Sequence, residues 1–157
     1  MEEKLCPKTG VFEVNSAEET LNLGVEFAKN SCPGTVIALI GDLGVGKTVF
    51  TKGVARGLDI KDHVTSPTFT ILESYYGGKM PLHHFDVYRI GDVEEMEEVG
   101  FDDCVYSEGV TIVEWAGIIE DIIPAGTYCV KIEKDLSKGS DSRKITRTQP
   151  EKEGCLS

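Results

Sequence analysis

Short apolar runs along the chain alternate with stretches whose apolar residues recur at helical spacing. Residues 35–40 and 109–114 are almost continuously apolar, which is typical of strands buried on both faces of a sheet. The apolar residues between positions 16 and 30 recur with a helical period instead. Ser16, followed three positions later by Glu19, forms the pattern of a capping box, so we predict that this helix begins just after Ser16.

The remaining elements are shorter, and several are bounded by glycine or proline. We predict strands at 11–14, 68–76, 79–88, 127–132 and 143–148, and helices at 49–57, 92–98 and 116–123. Gly77-Gly78 predicts a two-residue hairpin turn, and the last two strands predict a second hairpin. Because strands and helices alternate through the middle of the chain, the predicted class is α/β, with a mostly parallel central sheet, antiparallel additions and flanking helices.

Composition and charge narrow the functional classes. The 157 residues suit one domain spanning 1–157, with a frayed tail expected at about 149–157. The formal net charge of −11 argues against direct binding to nucleic acid, because phosphate neutralisation needs clustered lysine and arginine. No apolar run approaches the ~20 residues of a membrane span, the N-terminus lacks a signal-peptide profile, and the five scattered cysteines fit a reducing compartment. We therefore expect a cytoplasmic protein with no membrane partner.

One segment carries a specific chemical signature, the phosphate-binding pattern G-x-x-x-x-G-K-[ST]. The pattern is complete and ungapped in Gly41, Asp42, Leu43, Gly44, Val45, Gly46, Lys47 and Thr48. The glycines let the backbone curl so that N–H groups point at phosphate oxygens, while Lys47 supplies positive charge and the Thr48 hydroxyl is a ligand for Mg²⁺. A plain glycine-rich turn between a strand and a helix is the alternative, but it leaves Lys47-Thr48 unexplained. We predict a P-loop NTPase-like fold that binds a nucleoside triphosphate.

An acidic residue closes the second apolar run. Glu114 lies at the predicted carboxyl end of that strand, where P-loop proteins place a carboxylate that holds Mg²⁺ or orients water. A strand-end carboxylate that faces solvent is the alternative. Trp115, the only tryptophan, follows directly and is either a packed core ring or a ring that covers the nucleotide site.

Hydroxyl side chains follow the helix of the phosphate-binding loop. In P-loop NTPases, a segment at this place often responds to the γ-phosphate and its Mg²⁺. Thr65, Ser66 and Thr68 offer hydroxyl ligands there, and Pro67 restricts the backbone between them. An ordinary turn before a strand is the alternative.

The segment 83–89 is unusually polar for a strand beside a core. Strand alternation puts His84, Asp86 and Tyr88 on one face. A carboxylate at this place can hold a magnesium-bound water or orient a nucleophilic water. A solvated edge strand is the alternative, and a metal site made of His84 and Asp86 alone is not predicted.

Taken in order, four of these segments resemble one family. Gly-Asp-Leu-Gly-x-Gly-Lys-Thr at 41–48, Ser-Pro-Thr-Phe at 66–69, His-x-Asp-x-Tyr-Arg at 84–89 and Val-Glu-Trp at 113–115 are similar to motifs of the bacterial TsaE (YjeE) family of small P-loop ATPases. The resemblance covers roughly residues 11–132. It implies an ATPase that uses ATP and Mg²⁺, is weak alone, and acts with TsaB-like and TsaD-like proteins to reset the cycle that makes threonylcarbamoyladenosine (t6A) in tRNA. A partner would then contact the tRNA, which agrees with the acidic charge of this chain.

The resemblance also implies roles for individual residues. The phosphates of ATP would be bound by 41–48, and the catalytic residues would be Lys47, Asp86 and Glu114. The ligands of Mg²⁺ would be Thr48, Asp86 and Glu114. The sensing loop would contain Thr65, Ser66 and Thr68, the supporting residues would be Trp115, His84 and Tyr88, and the contacts to adenosine would come from Ser16 and Arg143. The family usually has an acidic residue soon after the tryptophan; here Ala116-Gly117 follows, which puts a second acidic role in doubt and leaves Glu114 intact.

Two other functions stay open on the sequence. A small-molecule kinase would use the same loop, but such enzymes usually need an arginine-rich lid, and Arg89 is the only arginine between positions 56 and 143. A nucleotide-gated binding module would use ATP to order a surface, with hydrolysis incidental. Phosphoryl transfer to a metabolite would support the kinase, and full function with a non-hydrolysable analogue would support the binding module.

Overall fold

A mixed β-sheet organises the computed structural model, which describes residues 10–42, 44–67 and 70–148. In those ranges the strands are β1 Gly10–Val14, β2 Val36–Ile40, β3 Leu72–Tyr75, β4 Leu82–Asp86, β5 Val110–Glu114, β6 Tyr128–Lys134 and β7 Arg143–Thr148. The α-helices are α1 Ala17–Lys29, α2 Lys47–Gly57, α3 Glu95–Glu98 and α4 Phe101–Val105. Two 3₁₀ helices cover Ala116–Ile122 and Leu136–Lys138. Within the described ranges, none of the helices combines the length and the apolar character that crossing a membrane requires.

The order of the strands confirms the predicted α/β class. Across the sheet the strands run β1-β7-β6-β2-β5-β4-β3. The four central strands, β6, β2, β5 and β4, are parallel to one another. Antiparallel strands are added at both edges, with β7 and β1 on one side and β3 on the other. The carboxyl ends of the parallel strands therefore meet at one edge of the molecule, which is where α/β proteins bind ligands.

Strand β2 lies between two cores, as its continuous apolar run predicts. On one face, Ile37 and Leu39 are fully buried in a cluster that includes Phe27 of α1 and Phe50 of α2. On the other face, Val36 and Ala38 pack in a cluster with residues of β4, β5, α3, α4 and the first 3₁₀ helix. The sheet is thus covered on both sides.

Helix α1 begins where the capping box predicts. The Ser16 hydroxyl accepts a hydrogen bond from the backbone N–H of Glu19 at 3.1 Å. The Glu19 carboxylate in turn accepts from the backbone N–H of Asn15 at 2.7 Å. The start of α1 is therefore set by local hydrogen bonds that the sequence specifies.

The predicted two-residue turn at Gly77-Gly78 is wrong, and so are the bounds predicted for the strands beside it. Strand β3 ends at Tyr75 and β4 begins at Leu82, so six residues connect them. The connection packs against the end of α2, where the backbone N–H of Lys79 donates to the carbonyl oxygen of Leu58 at 2.7 Å. A Cβ on Gly78 would lie 2.1 Å from that same oxygen, so glycine is required there for close approach and not for a tight turn.

The helices of the second half also differ from the prediction. The helix predicted at 92–98 is the single turn α3, and α4, which follows Gly100 (φ 79°), was not predicted. Both elements are too short to show a helical period, and they are held by burying residues such as Met96 and Phe101 against the sheet. The helix predicted at 116–123 is a 3₁₀ helix interrupted at Ile119 (φ −116°, ψ 35°). The tail predicted at 149–157 lies outside the described residues.

Candidate functional site

The glycine-rich loop connects the carboxyl end of β2 to the first turn of α2. Gly44 and Gly46 have φ angles of 75° and 118°, in the left-handed region that favours glycine. Gly41 starts the loop in a narrow space, because a Cβ there would lie 2.7 Å from Val45 Cγ1 and 2.8 Å from the carbonyl oxygen of Ile132. The loop delivers the chain to the N-terminus of α2, whose first N–H groups lack intrahelical partners and favour an anion. Leu43, predicted to be part of this loop's phosphate contacts, lies outside the described residues.

Lys47 lies between the loop and the end of β5. Its side chain is 7% exposed. The ammonium Nζ donates to the carbonyl oxygen of Gly41 at 2.7 Å and lies 3.8 Å from Oε1 of Glu114. It also lies 4.8 Å from the centre of the Trp115 ring, within range of a cation–π interaction. The lysine thus brings a buried positive charge to the carboxyl edge of the sheet.

Two carboxylates stand side by side at that edge. Asp86 ends β4, Glu114 ends β5, and the two residues are partners in the register of the parallel strands. Both are buried, with exposed fractions of 6% and 4%. Asp86 accepts hydrogen bonds from the backbone N–H of Tyr88 at 3.1 Å and from the Ser66 hydroxyl at 3.3 Å. The alternative that Glu114 simply faces solvent is therefore wrong.

The alternative of a solvated edge strand at 83–88 is also wrong. Strand β4 lies between β3 and β5, and all five of its residues are buried. His84 points toward Glu114, and its Nε2 lies 2.9 Å from Glu114 Oε2. His83, on the opposite face of the strand, instead hydrogen-bonds Ser74 Oγ at 2.8 Å, and burial lowers its pKa from the ordinary value of 6.5.

Tyr88 and Trp115 form an aromatic pair at the rim. The alternation predicted for Tyr88 does not hold, because β4 ends at Asp86 and Tyr88 lies in the connection after it, 55% exposed. The Tyr88 and Trp115 rings have centroids 4.7 Å apart and are tilted by 44°. Trp115 adopts φ 64° and ψ 36°, a left-handed conformation that costs a non-glycine residue about 1–2 kcal/mol. The strained backbone turns the chain out of β5 directly beside Lys47.

In the described part of the hydroxyl-rich segment after α2, Ser66 contacts the site. Ser66 hydrogen-bonds Asp86, as described above. The backbone N–H of Thr65 instead donates to the Tyr75 hydroxyl at 3.3 Å, and Thr65 is not among the residues that line the cleft. The carbonyl of Ile71 accepts from the N–H of Asp86 at 2.8 Å, so both ends of this segment are tied to β4 or its neighbour. Thr68 lies outside the described residues.

A cleft brings most of these side chains together. Its volume is about 600 Å³. Its lining includes Gly44, Gly46, Lys47, Thr48, Ser66, Asp86, Tyr88, Arg89, Glu114 and Trp115. A second cleft of about 610 Å³ lies against β6 and shares Lys47 and Trp115 with the first. The two clefts meet at the lysine.

The same sequence segments match a known family. The family model described as "Threonylcarbamoyl adenosine biosynthesis protein TsaE" matches residues 14–145, which is most of the chain. The chain belongs to the TsaE family.

Individual members of the TsaE family are similar over most of their length. The chain is 46% identical over 131 residues to the tRNA threonylcarbamoyladenosine biosynthesis protein TsaE of Bacillus subtilis (strain 168), covering 83% of this chain and 80% of that protein. It is 38% identical over 131 residues to the protein of the same name from Treponema pallidum (strain Nichols), covering 83% and 94%. The crystal structure of Bacillus subtilis YdiB superposes with a TM-score of 0.77 at 39% identity, covering 90% of this chain and 86% of that one.

The two residues predicted to contact adenosine, Ser16 and Arg143, are not among the residues that line either cleft. The Ser16 hydroxyl caps α1. Arg143 Nε donates to the carbonyl oxygen of Val45 at 2.9 Å, and its Nη1 donates to the carbonyls of Ser140 and Ser142. The sequence did not reveal that Arg143 supports the glycine-rich loop, because β7 reaches the loop only in the folded chain.

Arg89 is a charged cleft residue that the sequence analysis did not assign to the site. It lines the same cleft as Asp86 and Lys47. The available signal was its place at the end of the His-x-Asp-x-Tyr-Arg motif, three residues after Asp86. Its position adds a second cation to the cleft.

The donors present suit Mg²⁺. Asp86 and Glu114 supply carboxylates and Thr48 a hydroxyl, and all three line the same cleft. Mg²⁺ is held in nucleotide sites by one or two carboxylates together with water and phosphate oxygens. Within the described ranges, no group of three or more His, Cys, Asp or Glu side chains could hold a metal ion. Two carboxylates and a hydroxyl in one cleft fit Mg²⁺ that is also bound by phosphate oxygens.

Proposed function

We propose that this chain is a magnesium-dependent ATPase that drives a step of tRNA t6A formation together with TsaB-like and TsaD-like proteins. The observation that carries the proposal is the pairing of Asp86 and Glu114 at the ends of adjacent parallel strands, across a cleft from Lys47 and Thr48. P-loop NTPases use a lysine on the phosphates, a carboxylate that holds Mg²⁺ and a residue that orients water, and these side chains could supply all three.

The glycine-rich loop and Lys47 bind the phosphates. The first N–H groups of α2 face the anion, and the Lys47 ammonium exchanges its contact with the Gly41 carbonyl for a contact with phosphate oxygens. Lys47 is already desolvated, so its charge acts at short range with little screening. When bound, Mg²⁺ would neutralise negative charge on the phosphates, held by Thr48 and one or both carboxylates.

Asp86 is the residue we assign to the attacking water. The N–H of Tyr88 donates to Oδ1 of Asp86 and the Ser66 hydroxyl donates to Oδ2, so each oxygen of the carboxylate is held by one donor. A carboxylate fixed in this way can accept a hydrogen bond from water and direct its lone pair at the γ-phosphate. Ser66 couples the segment after α2 to that carboxylate, which gives this segment a route to respond to the γ-phosphate.

The rim of the cleft is where we place the activating partner. The exposed Tyr88 and the strained Trp115 form one wall, and Arg89 lies beside them. In a cleft that is open to solvent, water competes with the nucleotide for the charged side chains. A protein that covers this wall would exclude that water and strengthen the contacts of the side chains with the nucleotide. Contact with tRNA is left to the partners, since this chain carries a net charge of −11.

The test is phosphate release from ATP by the purified chain, with and without TsaB and TsaD proteins from the same source. We expect slow release alone and a clear stimulation by the complex, with t6A formed only when the chain is present. Equal rates in the two conditions would contradict partner activation. Phosphoryl transfer to a metabolite instead of water would favour a kinase.

A further inference from the structure

A fully buried histidine touches one of the two carboxylates. His84 is 0% exposed on the interior strand β4, and its Nε2 lies 2.9 Å from Oε2 of Glu114. An ionised carboxylate can only accept a hydrogen bond, so this contact favours the tautomer of His84 that carries its proton on Nε2. The imidazole is thus a donor aimed at Glu114.

The other nitrogen of the same ring is left unsatisfied. Nδ1 of His84 is buried and has no hydrogen-bond partner within the described part of the chain. Leaving a buried polar atom unpaired costs about 1–3 kcal/mol, which an apolar side chain of similar size would avoid. Packing alone therefore does not account for a histidine at this position, whereas its contact with Glu114 does.

The contact holds the second oxygen of a carboxylate whose first oxygen faces Lys47. Oε2 of Glu114 faces His84, and Oε1 faces Lys47 at 3.8 Å. A glutamate side chain has several rotatable bonds, and ordering it has an entropic cost that a positioning hydrogen bond removes in advance. Because Asp86 is the register partner of Glu114, the held carboxylate stays beside the second one.

We propose that His84 is a positioning residue that sets the affinity of the site for the Mg²⁺ that accompanies the nucleotide, by holding Glu114 through Nε2–H. The inference rests on the proposed nucleotide site but not on hydrolysis. It assigns His84 no contact with the nucleotide or with the reacting atoms. Its effect is carried by a single hydrogen bond, so it can be removed and restored by side chains of matched chemistry.

The test compares His84→Gln with His84→Asn. The amide nitrogen of glutamine reaches the place of Nε2, whereas that of asparagine reaches only the place of Nδ1. Binding of a non-hydrolysable ATP analogue to the chain alone is measured calorimetrically over a series of Mg²⁺ concentrations. His83→Gln is the control, because His83 is also buried on β4 but bonds Ser74 on the opposite face.

We expect His84→Asn to raise the Mg²⁺ concentration for half-maximal enhancement of binding by about tenfold, and His84→Gln and His83→Gln to change it by less than about threefold. Affinity measured without Mg²⁺ stays the same in all three. Equal shifts in the two His84 variants, or an analogue affinity that does not depend on Mg²⁺ in the wild type, would overturn the proposal.

A second measurement applies even if His84→Asn does not fold. Two-bond ¹⁵N–¹H correlation spectra of the wild-type chain report which ring nitrogen carries the proton, and we expect the Nε2–H form for His84. The Nδ1–H form would overturn the proposal. Absence of phosphate release from the wild type with its partners would contradict the ATPase function separately, since neither measurement uses hydrolysis.

Discussion

Helices α1 and α2 meet at a pair of glycines, and Gly53→Ala tests how tightly this contact holds the molecule. A Cβ on Gly53 would lie 2.1 Å from the carbonyl oxygen of Leu21, which is 1.3 Å short of an ordinary contact of 3.4 Å. Gly24 faces Gly53, and a Cβ there would lie 2.4 Å from the carbonyl oxygen of Phe50. Both obstacles are backbone atoms, so no rotamer change relieves them and the helices must separate.

The magnitude follows from two opposed effects. Overpacking costs about 1–3 kcal/mol, and the backbone clash places Gly53→Ala at the upper end, about 3 kcal/mol. Alanine in place of glycine inside a helix returns about 1 kcal/mol of helix propensity. The expected net loss is about 2 kcal/mol, or about 4–8 °C in Tm for a domain of this size.

Urea unfolding followed by circular dichroism measures this loss as a shift of the midpoint at constant slope. Gly91→Ala is the matched control, because a Cβ there meets only the flexible carboxylate of Glu95, at 3.3 Å. Since α2 begins at the glycine-rich loop, Gly53→Ala should also weaken nucleotide binding. A Gly53→Ala protein as stable as the wild type would refute the reasoning that these helices cannot move apart cheaply.

Three further predictions concern the site and the strand beside it. Lys47→Ala should weaken ATP binding by about 10- to 100-fold, because one charge-assisted hydrogen bond to phosphate is lost. The protein should stay folded, because Glu114 keeps its bond to His84, and a large fall in the Tm of the nucleotide-free protein would contradict this. Asp86→Asn should still bind ATP but lose about 100-fold or more of the partner-stimulated phosphate release and fail to restore t6A, and full restoration would favour the binding-module function. Burial lowers the pKa of His83 in the folded protein below its value of 6.5 in the unfolded chain. As the pH falls, His83 is therefore protonated first in the unfolded state, and stability is lost below about pH 6.5. His83→Gln should therefore flatten the stability profile from pH 7 to pH 5, and an unchanged profile in urea titrations would count against this assignment.

Local patterns accounted for the elements whose structure depends on near neighbours. The capping box at Ser16 and the buried strand β2 follow from residues within a few positions, and both are found where predicted. The prediction of a two-residue turn at Gly77-Gly78 was wrong because Gly78 is needed for close contact with Leu58, twenty positions earlier in the chain. The helix α4 was missed because five residues are too few to show a period.

By itself, the sequence determined the class of fold, the glycine-rich loop and the family, because these depend on patterns of residues in order along the chain. The family resemblance implied a shared site for two of the acidic residues, but only the tertiary structure decided how they come together. Asp86 and Glu114 are 28 positions apart, and the register of two parallel strands makes them neighbours. The same pairing brings His84 against Glu114. Pairing of β4 with both β5 and β3 places it inside the sheet instead of at an edge. Strand pairing is a long-range contact, so no local pattern of residues encodes it.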